Sequence, residues 1–149
     1  MNTQIVVNGV EVTLGVETLT DVISQLPDTQ EFESVFEELS KSPSYTVRAA
    51  VAVKTHLSPE VVNRLAHDKT RQVVSNLLAN SSVAKQIPQS VLAAKLAQDD
   101  PELLVEIIGE LHGLPQLDHE AVAVELASHP DPAVRRALAQ SCAVTEGWR

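Results

Sequence analysis

Leu126 to Ala139 reads LASHPDPAVRRALA, and this stretch recurs three more times along the chain in a less regular form. The other copies are LSKSPSYTVRAAVA from Leu39, LAHDKTRQVVSNLL from Leu65 and LAQDDPELLVEIIG from Leu96. Their first leucines lie 26, 31 and 30 residues apart, a period typical of stacked helical hairpins. The repetition predicts an architecture, whereas it says little about chemistry.

Prolines and capping residues indicate where the helices begin. A Ser or Asp precedes a proline at Ser42-Pro43, Ser58-Pro59, Asp100-Pro101 and Asp131-Pro132. Proline at the first helical turn loses no hydrogen bond, and the preceding side chain can cap the helix. The pattern predicts four helix pairs, at 30–41 with 44–54, 58–67 with 70–80, 88–98 with 100–112, and 118–128 with 131–142.

The first 27 residues lie outside the repeats. Asn8-Gly9 separates two alternating runs, and this dipeptide favours a type I′ hairpin turn. We expect the apolar face of the hairpin to lie against helices, because an isolated two-stranded ribbon is marginally stable in water. That face comprises Ile5, Val7, Val10 and Val12.

Two short helices are predicted between the hairpin and the first repeat turn. Leucine, valine and isoleucine between Leu19 and Leu26 have helical spacing, with Thr18 as the expected N-cap. Asp28, with Glu31 three residues later, fits a capping box for the next helix.

The predicted fold is mainly α, an α-solenoid of about four helical hairpins with a small N-terminal β-hairpin, in a single domain. Residues 1–27 form the hairpin and a helix, 28–142 the repeats and 143–149 a tail. Trp148 either covers the last hairpin or ends a loose tail, and we prefer the former because an exposed Trp is a liability. Asn76 replaces an apolar core position, so we expect it to bridge to the backbone of a neighbouring hairpin.

Charge is unevenly distributed along the 149 residues, although the formal net charge is −9. Residues 1–45 hold eight acids and one base, and residues 96–149 hold ten acids and three bases. Residues 46–95 hold seven bases and two acids, so the middle segment is basic. No apolar run approaches the ~20 residues of a membrane span, and the single Cys142 favours a reducing compartment. We expect a cytoplasmic protein without membrane association.

Two runs resemble the leucine-rich repeat variant and HEAT-like repeats of bacterial α-solenoids: VRAAVAVKTHLSPEVVNRLAHD at 47–68 and LASHPDPAVRRALAQS at 126–141. The resemblance covers about residues 35–142 and implies a curved stack that presents a surface to a partner. The middle copies depart from it, since Val74 and Val105 stand where Arg48 and Arg135 occur. Some such relatives bind an iron–sulfur cluster through several cysteines, which one cysteine cannot do, so no cofactor is expected.

Catalytic and metal chemistry find no support in the motifs. His112, His119 and His129 match no compact zinc spacing, and we interpret them as surface histidines. Glu106 and Glu110 share a helix face, which we interpret as solvated rather than as an acid–base pair. Nucleophile-elbow and phosphate-cradling motifs are missing from the sequence. We therefore predict neither an enzyme nor a metal site.

Protein binding is the preferred function, as an adaptor or scaffold in a bacterial cytoplasm. Positions beside the core stripe of the second helices form a strip that can accept a helix or an extended segment. The predicted partner-binding residues are Gln72, Ser75, Glu106, Glu110, Arg136 and Gln140.

The alternative is a nucleic-acid or other polyanion binder that uses the basic segment 46–95. Its acidic flanks and the lack of aromatic residues within the middle helices argue against it. The anion-binding residues of this alternative are Arg48, Lys54, Arg64, Lys69 and Arg71.

Overall fold

The structure is a computed structural model that describes residues 4–98 and 100–144, apart from the side chains of 142–144. Over these residues the chain is mainly helical with one small two-stranded antiparallel sheet, as predicted. They divide into an N-terminal unit that ends at Val83 and a C-terminal unit that begins at Ala84. Trp148 and the side chain of Cys142 lie outside the described residues.

The N-terminal unit contains the hairpin and the first two predicted helix pairs. Its elements are β1 Gln4–Val7, β2 Val10–Thr13, α1 Val16–Gln25, a 3₁₀ turn Gln30–Phe32, α2 Glu33–Leu39, α3 Tyr45–Ala52, α4 Pro59–Ala66 and α5 Arg71–Ala79. A short helix that the sequence did not predict, α6 Ser81–Ala84, spans the boundary between the units.

The C-terminal unit contains the last two repeat pairs. Its elements are α7 Gln89–Leu96, α8 Pro101–Gly109, a 3₁₀ turn Leu111–Gly113, α9 His119–Leu126 and α10 Pro132–Val144. All four predicted helix pairs are present, with ends shifted by a few residues. Three predicted caps are confirmed, because the Ser58 side chain accepts from Val61 N, Asp100 accepts from Leu103 N and Asp131 accepts from Ala133 N.

Three other expectations about helix starts are wrong. The first helix begins at Val16, two residues before the expected cap Thr18. α3 begins two residues after Pro43, because Ser42 Oγ first accepts a bond from Ser44 N. Asp28 caps no helix, since its carboxylate instead accepts bonds from a loop 27 and 28 residues farther along.

The hairpin has the predicted register, but its apolar face does not lie against helices as predicted. Val7 pairs with Val10 and Ile5 with Val12, and the turn residues Asn8 and Gly9 have φ angles of 52° and 80°, as a type I′ turn requires. Its apolar face is 41–62% exposed, so the expectation that it lies against helices is wrong. The next element, α1, packs against α3 and has Leu19 and Ile23 buried.

Each unit has its own apolar core. In the C-terminal unit, one cluster joins α8, α9 and α10 through Leu104, Ile108, Val122, Leu126, Val134 and Leu138. In the N-terminal unit, the fully buried side chains include Ile23, Phe36, Val47, Val51, Val61, Leu65 and Leu77. These residues occupy the periodic apolar positions of their helices, so the same spacing that predicts the helices also supplies the cores.

The fourth residue of the repeat makes the same hydrogen bond in three copies, where it is Ser42, Asp68 or His129. Its side chain accepts this bond from the backbone N–H two residues later, immediately before the second helix of the pair. The three bonds are Ser44 N to Ser42 Oγ at 3.2 Å, Thr70 N to Asp68 Oδ1 at 2.9 Å and Asp131 N to His129 Nδ1 at 3.0 Å. Side chains of three chemical types thus stabilise one turn, which is why the copies look degraded in sequence.

Asn76 bridges to the preceding helix pair, as predicted. Its Nδ2 donates to the carbonyl of Ala49 on α3 at 3.0 Å. Asn80, just after α5, donates to the carbonyls of Ala52 and Lys54 at 2.9 and 2.8 Å. The two asparagines therefore hold α5 in register against the end of α3.

We expect Asn76→Ala to lower the free energy of unfolding by about 1–3 kcal/mol, because the Ala49 carbonyl then loses its donor in a half-buried position. Asn63→Ala is the matched control, since Asn63 lies exposed on α4. Urea unfolding followed by circular dichroism measures both variants. Equal stability of the two variants would contradict the role of the bridge.

Candidate functional site

The predicted partner-binding residues are divided between the two units. Gln72 and Ser75 lie on α5 in the N-terminal unit, where Gln72 Nε2 donates to Asn76 Oδ1 at 2.8 Å. The other four residues lie in the C-terminal unit, with Glu106 on α8, Glu110 directly after it, and Arg136 and Gln140 on α10. Gln72, Arg136 and Gln140 are exposed, whereas Ser75, Glu106 and Glu110 are half-buried.

A surface cleft of about 390 Å³ lies in the C-terminal unit between the first turns of α8 and α10. Both helices begin at a proline that follows an aspartate. Each aspartate caps its helix, since Asp100 accepts from Leu103 N and Asp131 accepts from Ala133 N at 2.8 Å. The lining residues are Pro101, Glu102, Val105, Glu106, Asp131 and Ala133.

The residues that line the cleft are of two kinds, apolar and acidic. Pro101, Val105 and Ala133 contribute apolar surface, and Val105 also packs against the core cluster. Three carboxyl groups line the same space, those of Glu102, Glu106 and Asp131. The geometry suits a side chain of a binding partner that has an apolar stem.

Of the predicted partner-binding residues, Glu106 lines the cleft. Its other five lining residues are not among the predicted partner-binding residues. The signal that could have found them is the pair of Asp-Pro sequences at 100–101 and 131–132, which open two helices whose cores pack together.

Three of the five cations proposed for anion binding make contacts inside the N-terminal unit. Arg48 donates from Nε to Asp68 Oδ2 at 2.7 Å and from Nη1 to the Ser42 carbonyl at 2.8 Å. Arg64 Nη1 donates to Ser40 Oγ at 2.8 Å. These two guanidinium groups are therefore engaged in joining neighbouring helix pairs.

Lys54 is the third of these cations and is 7% exposed. Its Nζ donates to the carbonyl of Leu26, at the end of α1, at 3.2 Å and lies 5.7 Å from the centre of the Phe36 ring. A cation at a helix C-terminus and over an aromatic face is favourably placed. Of the remaining two, Lys69 is exposed and Arg71 is half-buried at the start of α5.

Asp28 holds the loop that follows α3. Its carboxylate accepts from Thr55 N at 2.8 Å, from His56 N at 3.1 Å, and pairs with His56 Nδ1 at 3.2 Å. Burial raises the pKa of Asp28, but these hydrogen bonds outweigh it and hold that pKa below its ordinary value. Asp68 behaves in the same way, because bonds from Arg48 and Thr70 outweigh burial and lower its pKa.

The three histidines considered as metal ligands have different surroundings. His119 contacts the Leu114 carbonyl through Nε2 at 3.0 Å, His129 accepts from Asp131 N, and His112 is exposed in a 3₁₀ turn. Within residues 4–98 and 100–144, no three His, Cys, Asp or Glu side chains are grouped so as to hold a metal ion. In the same part of the chain, no helix has both the length and the apolarity needed to cross a bilayer.

Comparisons with known proteins were made at three levels. No protein-family model, curated protein or solved structure matches the chain.

Arg48→Gln should destabilise the fold by about 3 kcal/mol, because it leaves the Asp68 carboxylate, 7% exposed, without its cation. Lys69→Gln removes an exposed charge of the same segment and should change stability by less than about 0.5 kcal/mol. Chemical unfolding of both variants at one pH provides the comparison. An Arg48→Gln variant as stable as Lys69→Gln would refute the structural role of the arginine.

The lowered pKa of Asp28 predicts a loss of stability in acid. The folded state holds this proton less tightly than the unfolded state, so the stabilisation is present above the unfolded pKa of about 3.9 and disappears as pH falls through the folded pKa. Asp28→Asn should be less stable than wild type near pH 7 and should lose less stability between about pH 5 and pH 2. Thermal unfolding of both proteins between about pH 5 and pH 2 tests this prediction. Wild-type and Asp28→Asn stabilities that fall in parallel with pH would contradict it.

Proposed function

We propose that the chain is a non-catalytic protein-binding scaffold of the HEAT-like α-solenoid type, related in design to leucine-rich repeat variant proteins. The cleft between the first turns of α8 and α10 is the proposed docking site for a partner protein. The observation that carries this proposal is the cleft itself, in which apolar surface and three carboxyl groups lie together.

Matching hydrogen bonds at equivalent positions of two sequence copies support the solenoid part of the proposal. Arg48 and Arg135, at the tenth position of their copies, both donate from Nη1 to the carbonyl of the fourth position. The long-range side-chain bonds within each unit join residues 20–32 positions apart, which is close to the repeat period. Helix pairs joined in this serial manner leave one surface of each second helix for a partner.

The composition of the cleft supports protein binding rather than catalysis or anion binding. Its acidic residues disfavour phosphate groups, whereas its apolar residues favour the stem of a partner side chain. The polyanion alternative is weaker, because Arg48, Lys54 and Arg64 already contact groups of the N-terminal unit. The proposed compartment is the cytoplasm, where a lone cysteine stays reduced.

Filling the cleft tests the proposal. Ala133→Phe places a ring in the cleft, whereas Ala121→Phe changes an exposed alanine in the first turn of α9, which also follows an aspartate cap. Affinity capture from an extract of the source organism at physiological salt should yield a protein bound by wild type and by Ala121→Phe. The Ala133→Phe variant should bind that protein at least roughly tenfold more weakly, since the buried contacts at the centre of an interface dominate its energy.

Circular dichroism confirms that both variants are folded before the capture experiment. Undiminished binding by Ala133→Phe would contradict the docking site. Retention of wild type on heparin at physiological salt, with affinity that falls steeply as salt rises, would support the polyanion alternative instead.

A further inference from the structure

Arg135 on α10 repeats the local geometry of Arg48 on α3. Arg48 donates from Nη1 to the Ser42 carbonyl at 2.8 Å, and Arg135 donates from Nη1 to the His129 carbonyl at 2.5 Å. Each acceptor lies six residues before its arginine, at the turn that precedes the helix. The backbone bond therefore orients the two guanidinium groups in the same way relative to their helices.

The other N–H groups of Arg48 bind residues just before α5, which is the second helix of the next pair. Nε and Nη2 contact the two carboxylate oxygens of Asp68 at 2.7 and 3.3 Å, and Nη2 also contacts Thr70 Oγ1 at 3.4 Å. Thr70 is the N-cap residue of α5. The result is a two-point ion pair that fixes α5 against α3.

α5 covers the face of α3 next to Arg48. Ala52 is 0% exposed and Ala49 is 7% exposed, and their carbonyls accept the bonds from Asn80 and Asn76. The equivalent positions on α10 are Ala139 and Arg136, and both are exposed, as is Arg135. In the described part of the chain, no carboxylate contacts Arg135.

We propose that the face of α10 centred on Arg135 and Ala139 binds a helix of a partner protein whose first turn follows an Asp-x-Ser/Thr sequence. The partner aspartate would form with Arg135 the ion pair that Asp68 forms with Arg48, and its helix would cover Ala139 as α5 covers Ala52. Neither Arg135 nor Ala139 lines the cleft, although the lining residue Asp131 lies one helical turn before Arg135. The inference does not depend on the cleft.

Charge selects this occupant. Arg135 and Arg136 are adjacent bases on a helix within the acidic segment 96–149, so they favour an acidic helix start. A second copy of the chain is a poorer fit, because its Asp68-Lys69-Thr70 sequence is already engaged by its own Arg48.

The probe is a capped synthetic peptide with the sequence of residues 65–80, LAHDKTRQVVSNLLAN, and its matched partner carries Asp68→Asn. Each is titrated into the full-length ¹⁵N-labelled chain and followed by amide chemical-shift changes. We expect the aspartate peptide to shift the signals of α10 around Arg135–Ala139. The asparagine peptide should bind roughly tenfold more weakly, as expected for the loss of a charge-assisted two-point contact.

Arg135→Gln in the chain should cause the same roughly tenfold loss, with no further loss for the asparagine peptide, because both changes remove one interaction. Arg136→Gln removes the same charge from the neighbouring position and should leave affinity within about threefold at 0.15 M salt.

Several results would overturn the inference. These are no binding up to about 1 mM peptide, equal affinity for the two peptides, an equal loss in Arg136→Gln, or shifts confined to α3, which would indicate exchange with α5. Sedimentation that reveals a dimer abolished by Arg135→Gln would assign this face to a second copy and would also refute it.

Discussion

Hydrogen bonds from side chains of one helix pair to the backbone or turn of a neighbouring pair are the constraint on which each unit depends. Most of the helices are short, with seven to nine residues in α2 to α5 and α7 to α9, so few apolar contacts fix the register of any one of them. A buried carbonyl or carboxylate without a partner costs about 1–3 kcal/mol, which a slipped register could not recover. Arg48, Asn76 and Asn80 fix the N-terminal unit, and Gln116 fixes the turn at Ala84 and Ile87 in the C-terminal unit, at 2.9 Å to each carbonyl.

The helical repeats could be predicted because their signals are local. Proline, a capping oxygen and the spacing of apolar residues act within one or two turns, so the ends of α4 and α8 follow from the sequence near them. The bridge from Asn76 was also predictable, since a polar side chain in a core stripe must find a partner. Asp28 was misinterpreted because its donors, Thr55 N and His56 N, are distant in sequence and identical in kind to those of a helix start.

The surfaces were harder to predict, because charge counts do not reveal which charges are already paired. The sequence shows a basic segment at 46–95. However, Lys54 is buried, with its Nζ bonded to the Leu26 carbonyl and lying over the Phe36 ring, and Arg48 forms an ion pair with Asp68. The cleft lies at the starts of α8 and α10, and Glu106 is the lining residue that belongs to the predicted partner-binding set. The exposure of the hairpin was also not predictable from local sequence. The alternation of apolar and polar residues predicts which side chains share a face of the hairpin, but it does not predict whether another element packs against that face.

Nuclear Overhauser effects from the amide protons of these bridging side chains test the central claim most directly. The account predicts contacts from the Asn76 amide to α3 and from the Gln116 amide to the Ala84–Ile87 turn, each linking residues about one repeat apart in sequence. Contacts that instead join these amides to segments two or three repeats away, or solvent-exchange behaviour of fully exposed amides, would contradict it.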